Sequence, residues 1–174
     1  MLSIFRPHLR VASVLDLSTS WLRRLGLDHL LLDVDCTLKA YRDEQPSAEI
    51  SAWLEAVRQQ FQIVLISNGR AQRIGRFADS LDLPFLAEAM KPLPRKLRRA
   101  MRQHKMDPRR TAMIGDQLFA DVMAARLAGV MSILVEAIHP EQERWFSRVK
   151  RAPQHLVLRL QRTPLLRDSE ESAD

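Results

Sequence analysis

Along this chain, short apolar runs alternate with longer stretches in which apolar residues recur every third or fourth position. HLLLDVD (29–35), QIVLIS (62–67), PFLAEA (84–89), TAMIGD (111–116) and MSILVEA (131–137) are short and apolar, the pattern of buried strands. Between them, SAEISAWLEAVRQQ (47–60), RAQRIGRFADSL (70–81), PRKLRRAMRQHK (94–105) and LFADVMAARLAG (118–129) carry helical spacing. In the third of these, Leu93, Leu97, Ala100, Met101 and His104 share a face and leave the arginines outward. Pro46 and Ser47 are start signals for the first helix, and Gly129 is a stop signal for the last. No internal repeat is present. Strand alternating with helix predicts an α/β fold: a three-layer, Rossmann-like parallel sheet with helices on both faces. Ligands of such sheets bind beyond the carboxyl ends of the strands.

The 174 residues suit one domain, with residues 1–28 as an extension packed on the core and an acidic tail, from about 166 to 174, disordered. No GxGxxG or GxxxxGK[ST] occurs, which speaks against a dinucleotide or P-loop site. A single cysteine, Cys36, excludes an internal disulfide and a multi-thiolate zinc site, and fits a reducing compartment. No apolar run reaches the ~18 residues of a membrane span. The opening MLSIFRPHLRVASVLDL is broken by Pro7 and Asp16 and has no small-residue cleavage site, so it reads as part of the mature protein. The net charge of +6 is unevenly placed: Lys91 to Arg110 holds nine basic residues and one acid, Arg144 to Arg167 seven and none. These clusters are either solvated helix faces or contacts for something anionic, phospholipid or nucleic acid.

The strand ends carry the chemistry. The first ends in Asp33-Val34-Asp35-Cys36-Thr37, the second in Ser67-Asn68-Gly69; Lys91 follows the third, and GDQLFAD after the fourth brings Asp116 and Asp121. Two carboxylates as close as Asp33 and Asp35 need a cation nearby. Carboxylate oxygens without thiolates or paired histidines suit Mg²⁺ rather than zinc. A carboxylate nucleophile (Asp33), a second carboxyl as acid and base (Asp35), and Mg²⁺ with Lys91 against phosphate charge make a phosphoryl-transfer site. Thr37, Ser67 and backbone N–H groups near Asn68 and Gly69 would hold phosphoryl oxygens.

DxDxT after an apolar strand, a strand-ending Ser, a following Lys and GDxxxxD, in order, resemble the four motifs of the haloacid dehalogenase (HAD) superfamily over His29 to Ala137. That resemblance implies a HAD-like fold with Asp33 as nucleophile and Asp35 as acid/base. It implies Mg²⁺ held by Asp33, the main-chain carbonyl of Asp35 and Asp116, with Asp121 behind them as an orienting carboxylate. An acid at position 35 marks a phosphatase, since the superfamily's ATPases and dehalogenases lack one.

Only Lys39 to Ala48 separates the first motif from its helix, room for a β-flap but no cap, and Leu81 to Lys91 holds none either. A capless, open rim suits a phosphate on something large. DVDCTLKAY, ISNGR, KPLPRKLRRAM and IGDQLFADVMAARLAGV resemble the capless YqeG group, related to mitochondrial phosphatidylglycerophosphate phosphatases, and FRPHLRVASVLDL and WFSRVKR fit its ends. This likeness implies a cytoplasmic enzyme acting on phosphatidylglycerophosphate at the inner face of a membrane, where each basic residue near anionic lipid contributes on the order of 1 kcal/mol. A phosphatase for a protein, nucleic acid or small metabolite stays open, as does an RNA- or ribosome-associated factor with incidental catalysis. Nucleic acid is not favoured, because no aromatic residues interleave the basic ones. Oligomeric state is not legible. One departure from the group is Cys36, where asparagine is usual.

Cys36 and Arg42 share the Cys-x5-Arg frame of a cysteine phosphatase, but the intervening TLKAY lacks glycine, so Cys36 reads as packing. His104 reads as a core or boundary residue. Neither His29 nor His139 has a residue-level case. Trp21 and Trp53 read as core anchors, and Trp145, amid basic residues, as a core anchor or a membrane contact.

Overall fold

The computed structural model describes residues 2–142, 151–160 and 164–166. Six strands, β1 (Leu9–Val11), β2 (His29–Leu32), β3 (Gln62–Ile66), β4 (Phe85–Leu86), β5 (Thr111–Gly115) and β6 (Met131–Val135), form one sheet in the order β1-β6-β5-β2-β3-β4. Every neighbouring pair is parallel, with Leu30 facing Ile63 on one side and Ala112 on the other. Helices α1 (Thr19–Arg24), α2 (Ala48–Arg58), α3 (Ala71–Ser80), α4 (Arg95–Gln103), α5 (Met123–Ala128) and α6 (Arg151–Leu160) connect or follow the strands.

Strand residues are apolar throughout because both faces are covered. Leu30 and Leu32 pack with Trp21, Trp53, Leu54, Ile74 and Phe77 of α1 to α3. Leu31, one residue out of phase, packs with Leu97, Ala100 and Met101 of α4 and Ala124 and Ala125 of α5. The two clusters are the period-two alternation of a strand read from opposite sides, and they confirm the three-layer α/β expectation. Ser47 caps α2 by accepting the Ile50 N–H, and Gly129 ends α5 at φ 81°.

Several boundaries differ from the expectation. The first strand stops at Leu32: Asp33 still donates its N–H to the Ile114 carbonyl at 2.9 Å, and then the chain turns out of the sheet. No β-flap forms over 39–48; the segment is a run of turns with a single bridge between Asp35 and Lys39. The stretch 118–129 is a π turn, Leu118–Val122, followed by α5, and not one continuous helix. Leu93 precedes α4 and is 47% exposed, so it does not share that helix's buried face. β1 was not foreseen: three residues of the N-terminal segment join the sheet beside β6. Trp145, the parts of the second basic cluster at 144–150, 161–163 and 167, and the acidic tail beyond Leu166 lie outside the described residues. Among the described residues no helix is long and apolar enough to cross a membrane.

The N-terminal segment is fastened to the core at Trp53, whose Nε1–H donates to the Leu17 carbonyl at 2.7 Å. Replacing Trp53 by Phe keeps most of the packing but leaves that carbonyl unpaired. The expected loss is about 1–3 kcal/mol of unfolding free energy in urea titration; no loss would show the contact to be dispensable.

Candidate active site

The carboxyl ends of β2, β3 and β5 and the loop after β4 meet on one rim. Asp33, Thr37, Ser67, Lys91, Asp116 and Asp121 are all buried there. Lys91 reaches its Nζ to 2.5 Å from Asp33 Oδ1, 2.6 Å from Asp121 Oδ1 and 2.9 Å from the Ile66 carbonyl. Thr37 donates its hydroxyl to Asp116 Oδ1 at 3.1 Å. Asp121 folds back so that its Oδ2 accepts the Gln117 N–H at 2.9 Å. The π turn aims it there, and Gly115 makes the space, because a Cβ on Gly115 would collide with the Asp121 carboxylate.

Three carboxylates and one ammonium, when all are ionised, leave two negative charges in a buried site. Burial pushes the Asp33 carboxyl well above the ordinary carboxylate range; Asp121 and Asp116 add to the rise, and Lys91 opposes it. Burial alone would lower the Lys91 ammonium, but Asp121 and Asp33 together raise it above its ordinary value. A divalent cation fits this deficit. Oxygens of Asp33, Asp116 and Asp121 lie within 4.8 Å of one another, all hard donors with no sulfur or imidazole among them, the set Mg²⁺ prefers. Asp121 already spends one oxygen on Lys91 and the other on Gln117, so it suits orientation more than ligation.

Asp35 stands apart from this cluster. Arg73, in the first turn of α3, grips it with two parallel bonds of 2.6 and 2.5 Å, and Lys39 approaches at 3.5 Å. The Arg73 guanidinium lies 5.2 Å from the Tyr41 ring centroid and occupies space that a side chain at Gly69 would need. Asp35 in turn holds Arg73 still more firmly charged than usual. Asn68 turns its side chain to the backbone of Lys91, accepting the N–H at 2.8 Å and donating to the carbonyl at 3.3 Å. The Gly69 N–H donates to Ser67 Oγ at 3.0 Å, a bond that an incoming phosphoryl oxygen would have to replace.

Sequence reasoning passed over three residues. Arg73 was assigned only to a helix, although its place four residues after Gly69, at a helix start, was a usable signal. Lys39, buried, bonds the Asp43 carbonyl at 2.7 Å as well as approaching Asp35. Gln154 of α6 donates to the Asp116 carbonyl at 3.2 Å and accepts the Leu118 N–H at 2.9 Å, and nothing near it in sequence announced this. Cys36 is buried at φ 62°, away from any exposed nucleophile position. His29 opens β2 at the end opposite the site, His104 is half-buried at the end of α4, and His139 is exposed beside Glu141.

The family model described as HAD-hydrolase-like matches residues 89–161. A probable phosphatase of Bacillus subtilis, YqeG, is 26% identical over 132 residues, which are 75% of this chain and 77% of that protein. The fold resembles 3-deoxy-D-manno-octulosonate 8-phosphate phosphatase from Moraxella catarrhalis, solved with magnesium, phosphate and KDO. The TM-score is 0.53 at 18% identity, covering 82% of this chain and 92% of that one. An uncharacterized protein from Listeria monocytogenes also scores 0.53 at 18% identity, covering 62% and 78%. Four motifs in order and a six-stranded parallel sheet that gathers them agree with these comparisons: the chain is similar to HAD-like hydrolases and to a probable phosphatase.

Proposed function

We propose that this protein is a Mg²⁺-dependent phosphomonoesterase that works through an aspartyl-phosphate and takes phosphatidylglycerophosphate as its substrate. The observation that carries the chemistry is the pairing of Asp33 with Lys91 at the end of the central strand, with a second carboxyl, Asp35, held separately two residues on. Asp33 attacks phosphorus as the bond to the departing alcohol breaks, and Asp35 gives that oxygen its proton. Water then attacks the aspartyl-phosphate, Asp35 takes the water's proton, and phosphate leaves. Lys91 offsets charge on the phosphoryl oxygens, while Thr37 and Ser67 with the backbone of Asn68 and Gly69 orient them. Bound Mg²⁺, held by Asp33, Asp116 and the Asp35 carbonyl, would supply further neutralisation of phosphate charge. For Asp35 to act, Arg73 must loosen its grip, and an anionic substrate arriving beside Gly69 competes for that guanidinium.

An uncapped rim and the YqeG-type wording of the motifs support the lipid substrate. Phosphate release from phosphatidylglycerophosphate in mixed micelles, with Mg²⁺ or with chelator, tests it beside a soluble aryl phosphate. Turnover of the lipid is expected, dependent on Mg²⁺ and reduced by a factor on the order of 10³ or more in Asp33→Asn. Turnover of the aryl phosphate alone would discard the lipid and keep the chemistry, pointing to another phosphoester. Turnover of neither would favour the RNA- or ribosome-associated reading.

Metal and proton compete for the same carboxylates. With the Asp33 carboxyl raised, the metal-free folded state keeps a proton that the unfolded chain gives up above the ordinary carboxylate range. The contribution of Asp33 to metal-free stability therefore falls as pH rises. Added Mg²⁺ should raise the melting temperature more at pH 8 than at pH 5. An equal shift at both, or none, would count against a cation in this cluster.

A further inference from the structure

The loop that supplies Lys91 has a second side. Met90 to Leu93 is a turn closed by the Leu93 N–H on the Met90 carbonyl at 2.9 Å. Its Lys91 side chain is directed inward, to Asp33 and Asp121, while Met90 is 68% exposed and Leu93 47% exposed. The turn is pinned to the rim, because Ala89 and Glu88 donate their N–H groups to the carbonyls of Ser67 and Gly69. Two large apolar side chains thus stand in solvent beside the catalytic lysine, and among the described residues no cap covers them.

Helix α4 starts two residues later. Leu97, Ala100 and Met101 face the sheet, and Arg95, Arg99 and Arg102, at spacings of four and three, form a stripe on the opposite face. Among the described residues none of these three arginines has a carboxylate partner, and α4 contains no acidic residue. A core needs neither the exposed pair nor the stripe.

We propose that the Met90–Leu93 turn and the arginine stripe of α4 form one docking surface for an anionic lipid bilayer, with the two apolar side chains entering the interface and the arginines meeting headgroup phosphates. Apolar tips beside unpaired cations match the layered chemistry of a membrane surface. Single-stranded nucleic acid would call for aromatic stacking platforms, and this lip presents a methionine and a leucine. Docked this way, a phosphate at headgroup height meets the rim at Lys91. This inference rests on the phosphatase reading of the site and adds where its substrate is met.

The test is co-sedimentation of the full chain with vesicles of phosphatidylcholine alone or with one quarter phosphatidylglycerol, beside aryl phosphate turnover. The variants are Met90→Ser with Leu93→Ser, and Arg95→Glu with Arg99→Glu. Wild type should bind the anionic vesicles and not the neutral ones, and each double variant should lower that partition by about tenfold while keeping wild-type aryl phosphate turnover. Equal binding to both vesicles, no binding, or variants that bind as wild type would overturn the docking surface. So would loss of RNA binding in the variants with vesicle binding intact. Vesicle binding as expected, with no turnover of any ester by wild type, would uphold the surface and overturn the phosphatase reading instead.

Discussion

The buried ammonium of Lys91, between the carboxylates of Asp33 and Asp121, is the constraint on which the site depends. A charge taken out of water is tolerated only where every partner is in place, and removing one partner leaves the others stranded. The surrounding structure reads as a set of provisions for that contact. Asn68 fixes the lysine's backbone from both sides, the Ile66 carbonyl accepts a hydrogen bond from the ammonium, and a π turn brings Asp121 within reach. Gly115 leaves the gap through which Asp121 folds back. The contact also joins three strand ends, so the electrostatics of the site and the order of the sheet are one problem.

Two carboxylates separated by a single residue end up in different chemical worlds. Asp33 is enclosed with other acids and one lysine; Asp35 lies half-open between Arg73 and Lys39. The backbone makes this divergence possible by leaving the sheet after Asp33 and passing through a left-handed residue, Cys36, whose N–H then bonds the Lys39 carbonyl at 2.7 Å. Asparagine tolerates left-handed backbone better than most residues, so the asparagine that the sequence resemblance leads one to expect at this place would fit it. In the proposed reaction, environments set this far apart let one short segment serve both nucleophilic and proton-transfer chemistry.

The five strand candidates were legible because a parallel sheet covered on both faces leaves little room for polar residues, and Leu30, Leu31 and Leu32 show the result, although the third candidate, 84–89, forms only the two-residue β4. The acids at their ends stood out for the same reason. What escaped notice depends on distance in sequence. β1 is only Leu-Arg-Val, too short for any period, and exists as a strand because β6 is there to pair with it. The π turn adds one residue to a helical pattern without disturbing its apolar spacing. Arg73 and Gln154 act through contacts with Asp35 and Asp116, 38 positions away in each case, which local pattern cannot register.

The same long reach has a consequence for how the molecule comes into being. On a ribosome the edge strand emerges first and waits for a partner, since His8 meets Ser132 only 124 positions later. The central strand β2 pairs early with β3 but lacks β5 on its other flank until much more chain has appeared. Half-made sheet edges of this kind invite wrong partners. Chemistry is delayed as well: Asp33 gains its companions only once Asp116 and Asp121 have been translated, and Gln154 fastens their loop later still. A nascent chain of this protein therefore carries the carboxyl of Asp33 without its buried acidic companions until Asp121 has been added.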